Sequence, residues 1–169
     1  DPGVRVDVRR LASPDFVERS KAAERLVAMG PEALPALGRA GEQPVAAPGR
    51  SQVSSTAPVI AAIFASADAD DVAAALDTPW PNVRSEAAAE LGRRGRWSPV
   101  PDLIARLDDG DREVRASSAA SLRRLTNQFF GYSATARQSA RRSAAARWRT
   151  WWTREGRIRR EADPGVAAR

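Results

Sequence analysis

Apolar side chains recur along this chain at the spacing of one helix face. Arg19, Ala22, Ala23 and Leu26 form one set, Arg84, Ala87, Ala88 and Leu91 a second, and Arg115, Ser118, Ala119 and Leu122 a third. Counted from the arginine, the small and large residues fall at i+3, i+4 and i+7, the signature of an amphipathic helix. The second and third sets lie 31 residues apart and the first and second 65, close to twice that. The arithmetic predicts a degenerate copy within 48–76, where 52–64 (with Val53, Ile60, Ile63 and Phe64) and 69–76 read as helices.

Each clear copy is preceded by turn and cap residues: Ser13-Pro14-Asp15, Asp77-Thr78-Pro79, and Asp108-Asp109-Gly110-Asp111. Asp or Ser at the cap accepts the free amide hydrogens of the first turn, and Pro fits just inside it. Gly30 and Gly92 read as the breakers that end the first two helices. Shorter second helices follow over 31–39, with Leu34 and Leu37, and over 100–107, with Leu103, Ile104 and Leu107. Pro35 and Pro101 fit these helices if they stand in the first turn. A helix pair of about thirty residues cannot bury its apolar stripe alone, so neighbours must stack.

After Leu125 the pattern changes. Residues 127–133 read as an aromatic loop, with Gly131 beside Phe129, Phe130 and Tyr132. A helix over about 137–155 follows, and Arg141, Ala144, Ala145, Trp148, Trp151 and Trp152 share one of its faces. The structural expectation is a cap in which the indoles seal the end of the array against the Leu122–Leu125 segment and the Phe129–Phe130 loop. The alternative is an aromatic and basic binding surface. Residues 157–169 have little apolar content and are expected to be extended.

The stretches DFVERSKAAERLVAMGPEALPAL (15–37), NVRSEAAAELGRRG with VPDLIARL (82–107) and REVRASSAASLRRL (112–125) resemble the short HEAT-like repeats of bacterial proteins. The resemblance implies an all-α fold, a right-handed solenoid of about four HEAT-type helix pairs. It also implies bonds from Asp111, Val114 and Arg115 to the neighbouring repeat, and likewise from Val83 and Arg84, with Asn82 where Asp is usual. The first copy departs, with Glu18-Arg19 in place of Val-Arg. The Gly-Tyr loop followed by Arg-Trp-x-x-Trp-Trp resembles the module that closes HEAT arrays in other bacterial proteins, often secreted ones. The expected organisation is a lead-in at 1–12, repeats over 13–126 (13–40, 48–76, 79–107 and 110–126), the loop and capping helix at 127–155, and a basic tail at 156–169.

Composition narrows the chemistry. The chain contains neither Cys nor His, so disulfides, thiol chemistry, the usual structural zinc ligands and the commonest general base are excluded. No Ser has a plausible base, because Lys21 follows Ser20 directly and the two side chains diverge on a helix. The clusters Asp68, Asp70, Asp71 and Asp108, Asp109, Asp111 lack the spacing of a calcium loop and read more simply as caps. No cofactor or metal is expected. No apolar run is long enough to span a bilayer. The start at Asp1 is what a removed signal peptide leaves, as would cloning, and an extracytoplasmic setting is preferred over a cytoplasmic one.

The formal charge is +6, and Lys21 is the one Lys among 27 basic residues, a bias that reads as GC-rich codon usage. Its distribution says more: 132–169 carries ten Arg against three acidic residues, whereas the first 131 residues are nearly neutral. The expectation is therefore a non-enzymatic scaffold that binds a protein partner, an accessory subunit of a larger assembly. Candidate contact residues are Trp80, Trp97, Arg142, Arg147, Arg149, Arg157, Arg159 and Arg160. The alternative is a nucleic-acid-binding module that uses the Arg-rich C-terminal segment. A lesion-binding groove like that of HEAT-like DNA glycosylases is disfavoured, because near-neutral repeats attract phosphate weakly.

Overall fold

A computed structural model describes residues 2–42, 52–156 and 158. Its helices are α1 (Pro2–Arg10), α2 (Phe16–Met29), α3 (Leu34–Glu42), α4 (Gln52–Ser66), α5 (Ala69–Ala74), α6 (Pro81–Arg93), α7 (Val100–Ala105), α8 (Arg112–Thr126) and α9 (Gln138–Trp151). Single 3₁₀ turns Gly30–Ala33, Ala75–Asp77 and Arg106–Asp108 lead into α3 or close α5 and α7, and a π-turn Trp152–Gly156 closes α9. No strand occurs among the described residues, and the class is all-α, as expected. No described helix is long and apolar enough to cross a membrane. The expected start of the second repeat at 48, and Arg157, Arg159 and Arg160 of the basic tail, lie outside the described residues.

The chain forms two compact units, Asp1–Ala87 and Ala88–Arg169, and α6 contributes residues to both. In the first unit α1 packs on α2 and α3, and α4 on α2 and α3. Leu26, Leu37, Ile60, Ile63, Phe64, Leu76 and Val83 are fully buried at its centre. The 52–64 and 69–76 helices appear as α4 and as α5 with its 3₁₀ turn. Thr56 and Ile60 are buried on α4, four residues apart as on the clear copies. The lead-in, for which no helix is expected, is helix α1. It buries Val4 and Leu11, and its Asp7 carboxylate pairs with Arg10 (3.5 Å) and with Arg25 on α2 (3.2 Å).

In the second unit α7 and its 3₁₀ turn pack against α8 and α9, and Leu103, Leu107, Val114, Leu122 and Trp148 are buried between them. Pro35 and Pro101 do stand in the first turns of α3 and α7, where a missing amide hydrogen costs nothing. Gly92 is not a breaker. It lies inside α6, buried, at a point where an added Cβ would overlap Ser121 of α8. Ser121 Oγ donates to the Ala88 carbonyl (2.7 Å), and this contact requires the close backbone approach that only Gly allows. Gly95, with φ of +72°, supplies the actual turn after α6.

The repeated arginine makes the same pair of bonds in all three copies. Arg19 Nη1 donates to the carbonyls of Ser13 and Pro14, Arg84 Nη1 to those of Thr78 and Pro79, and Arg115 Nη1 to those of Asp109 and Gly110, all at 2.8–3.0 Å. Each guanidinium therefore ties the entry loop of its own helix, five and six residues back. The resemblance implied bonds to a neighbouring repeat, and Arg115 makes one, to the Ala134 carbonyl of the loop before α9. Asp111 instead caps its own helix, accepting from the amides of Glu113 and Val114 (2.8 and 3.1 Å), and Asp15 caps α2 by accepting from Val17 (2.8 Å). Asn82 does reach a neighbouring helix, donating through Nδ2 to the Leu37 carbonyl of α3 (3.1 Å).

Candidate interaction surface

The C-terminal module begins where α8 ends. Asn127 takes the left-handed conformation (φ 53°) and its amide returns to the Arg123 carbonyl, which closes the helix. The loop that follows is pinned at several points. Tyr132 is buried and its hydroxyl donates to the Leu107 carbonyl. Burial raises the Tyr132 pKa above its ordinary value; the Arg115 and Arg141 charges oppose this and Asp108 adds to it. Arg115 reaches from α8 to the Ala134 carbonyl through Nη2 (3.1 Å), so the arginine that ties its own entry loop also holds the next one.

Helix α9 is a further copy of the repeat helix, in a register the sequence reading did not count. Arg141, Ala144, Ala145 and Trp148 occupy the positions of Arg115, Ser118, Ala119 and Leu122. Arg141 Nη1 donates to the Ala136 carbonyl five residues back (2.7 Å), as its counterparts do, and Ala144, Ala145 and Trp148 are buried. What hid the copy is the Trp at the large apolar position and a shorter interval, 26 residues from Arg115 to Arg141.

The cap expectation places Trp148 and at least one of its neighbours in the core, and Trp148 (1% exposed) and Trp151 (7%) are there, with Trp152 half-buried. Phe130 meets Trp148 edge to face at 4.8 Å between ring centres, and Trp148 meets Trp151 edge to face at 5.7 Å. These are the geometries the ring quadrupoles favour. Trp97 completes the group at 6.1 Å from Trp151. Phe130 supplies the loop contact that was expected, and beyond it α9 packs on α7 and the 3₁₀ turn Arg106–Asp108, which were not expected.

The candidate contact residues thus separate. Trp97 is half-buried in this aromatic group. Trp80 belongs to the first unit, where it is half-buried, packs where a Cβ on Gly38 would overlap its ring, and carries the Arg39 guanidinium 5.9 Å above it. Arg147 donates through Nε and Nη2 to the Phe130 carbonyl (3.1 and 2.8 Å), and Arg149 pairs with Asp108. Both were expected to stand free of the chain, and both help to hold the module, though each remains exposed. Arg142 and Arg154 are exposed as well. The acidic run is spent locally: Asp108 on Arg149, Asp109 on the Asp111 amide (2.8 Å), and Asp111 on its cap.

Charge divides with the units. The first carries nine basic and twelve acidic residues, the second eighteen and nine. Within the second, Glu90 is buried on α6 between Arg93 and Arg94 (2.9 and 3.0 Å). Burial pushes its carboxyl up, but the hydrogen bonds and charges of the two arginines outweigh that and hold it below the ordinary value. Among the described residues, no three acidic side chains converge as a metal-binding group. The first unit has an open cleft of about 270 Å³ over Val4, Met29 and Pro35, rimmed by Arg5, Glu32 and Arg39, and Glu32 is its one carboxylate among the described lining residues. No curated protein matches the chain. Residues 69–147, which run from α5 through most of α9, match the family of HEAT repeats, and that stretch is similar to such repeats.

Proposed function

We propose that this chain is a non-enzymatic scaffold whose C-terminal module docks onto another protein, as an accessory part of a larger assembly. HEAT repeats generally serve as interaction scaffolds. The observation that carries the reading is the two-sidedness of α9. Its inner face is anchored by Trp148 and Trp151, while its outer face offers Arg142, Arg147 and Arg149, with Arg154 in the turn beyond. A charged element held rigid on its far side loses little conformational entropy on binding, so its contacts are not spent on ordering it. The nucleic-acid reading is favoured by the eighteen basic against nine acidic residues of the second unit. The extracytoplasmic setting belongs to the same proposal, and fractionation of the native source tests it.

Affinity capture from nuclease-treated extract separates the two readings. The intact chain is expected to retain a protein that an Arg142→Glu, Arg154→Glu variant loses. Capture that disappears with nuclease treatment, and binding to duplex DNA that falls steeply with salt, would move the assignment to nucleic acid.

A further inference from the structure

The outer face of α9 has an order beyond its charge. Ser139, Ser143, Ala146 and Thr150 are exposed and follow one another at intervals of four, three and four residues, so they form the crest of that face. Arg142 and Arg149 stand along one side of the crest and Arg147 along the other, and Arg154 is exposed in the π-turn beyond. Glu155 is the one acidic residue between 138 and 156, so nothing else of that segment neutralises the arginines. Arg142 is exposed, and Arg147 and Arg149, though bonded to the Phe130 carbonyl and to Asp108, each have N–H groups left over.

Seven residues separate Arg142 from Arg149, two helical turns or about 10 Å. A partner helix laid along the crest repeats its own side chains at the same interval, and charges flanking such a contact set partner choice. Asp108 already sits on Arg149, so a carboxylate is an anion this side of the crest accepts. A second copy of α9 would bring arginines against arginines. A helix that reads a DNA groove needs long side chains at its centre to reach base edges, and here the centre is the shortest part of the face.

We infer that the outer face of α9 receives an acidic amphipathic helix of a partner protein. Asp and Glu on its two edges pair with Arg142 and with the N–H groups left on Arg149 beside Asp108 and on Arg147 beside the Phe130 carbonyl. The Ser, Ala and Thr crest lets the two backbones approach closely. The inference rests on the scaffold reading and names the partner's chemistry.

The test uses the full chain and three labelled probes: a synthetic helical peptide of about four turns with Glu along both edges, a peptide of the same composition with its helix broken by Pro, and a short DNA duplex. The helical peptide is expected to bind at least about tenfold tighter than the broken one. Arg142→Glu should weaken it by about as much, and so should Ala146→Leu, an exposed site whose substitution leaves the melting temperature unchanged. Equal binding of the two peptides, or an Ala146→Leu variant that binds normally, overturns the helix inference. In that event, loss of both peptides in Arg142→Glu leaves the protein-scaffold reading standing. DNA bound more tightly than either peptide overturns both.

Discussion

Helices α8 and α9 share one register and close their contacts by different means. On α8 the small Ser118 and Ser121 are buried, and Ser121 lies against the α6 backbone at Ala88 and Gly92. On α9 the position of Ser121 is taken by Arg147, which reaches back to the loop carbonyl of Phe130, and the position of Leu122 by Trp148. Helix against helix, small residues and a Gly bring backbones together. Where an aromatic loop stands before the last helix, indoles make the contact instead, with Trp148 edge to face on Phe130.

The largest expected effect breaks the α9 side. Trp148→Ala should destabilise the protein by about 3–5 kcal/mol, the range for truncating a buried large aromatic, and detach α9 in urea or thermal unfolding followed by tryptophan fluorescence. Loss under about 1 kcal/mol would mean the indole is not the anchor. Next comes the α8 side. Gly92→Ala places a Cβ on Ser121 and should cost about 1–3 kcal/mol, since backbone as well as side chain must shift.

The clamps sharpen the comparison. Arg115 is 8% exposed and serves three carbonyls, those of Asp109, Gly110 and Ala134. Arg141 serves that of Ala136 and is half-buried. Arg115→Ala should therefore cost about 1–3 kcal/mol and Arg141→Ala about 0.5–1.5, with denaturation midpoints in that order. The smallest effect is in pH. The Glu90 pKa is lower folded than unfolded, so the stability it adds is present above its unfolded value and is lost as pH falls through the folded one. Glu90→Gln should flatten that part of the acid-side stability profile, and a variant with an unaltered profile would assign the acid sensitivity elsewhere.

Much of the helix content was legible because it depends on near neighbours. Asp15 and Asp111 before their helices, Pro35 and Pro101 in first turns, and Val4, Val8 and Leu11 at helical spacing are all local signals, although the last went unused in expecting a lead-in without a helix. The fourth copy was also within reach, since Arg141-x-x-Ala-Ala-x-x-Trp148 repeats the motif letter for letter save the last. The candidate surface was legible in part. Arg142, Arg147 and Arg149 fall off the buried stripe of α9 by periodicity alone, Arg147 and Arg149 at its margins, one turn from Trp151 and Trp152.

Sequence by itself determined the start of the capped helices α2 and α8, their apolar faces, and that indoles line α9, because these follow from hydrogen bonds and side-chain spacing within about two turns. Tertiary structure alone decided which groups those faces meet. It set α9 on α7 and its 3₁₀ turn, paired Arg149 with Asp108 forty-one residues away, drew Arg147 onto Phe130, and made Gly92 a contact point instead of a stop. The physical reason is that a guanidinium on a long side chain has several acceptors within reach, and a Gly serves equally as a turn or as a gap. Only the packed neighbours select among them.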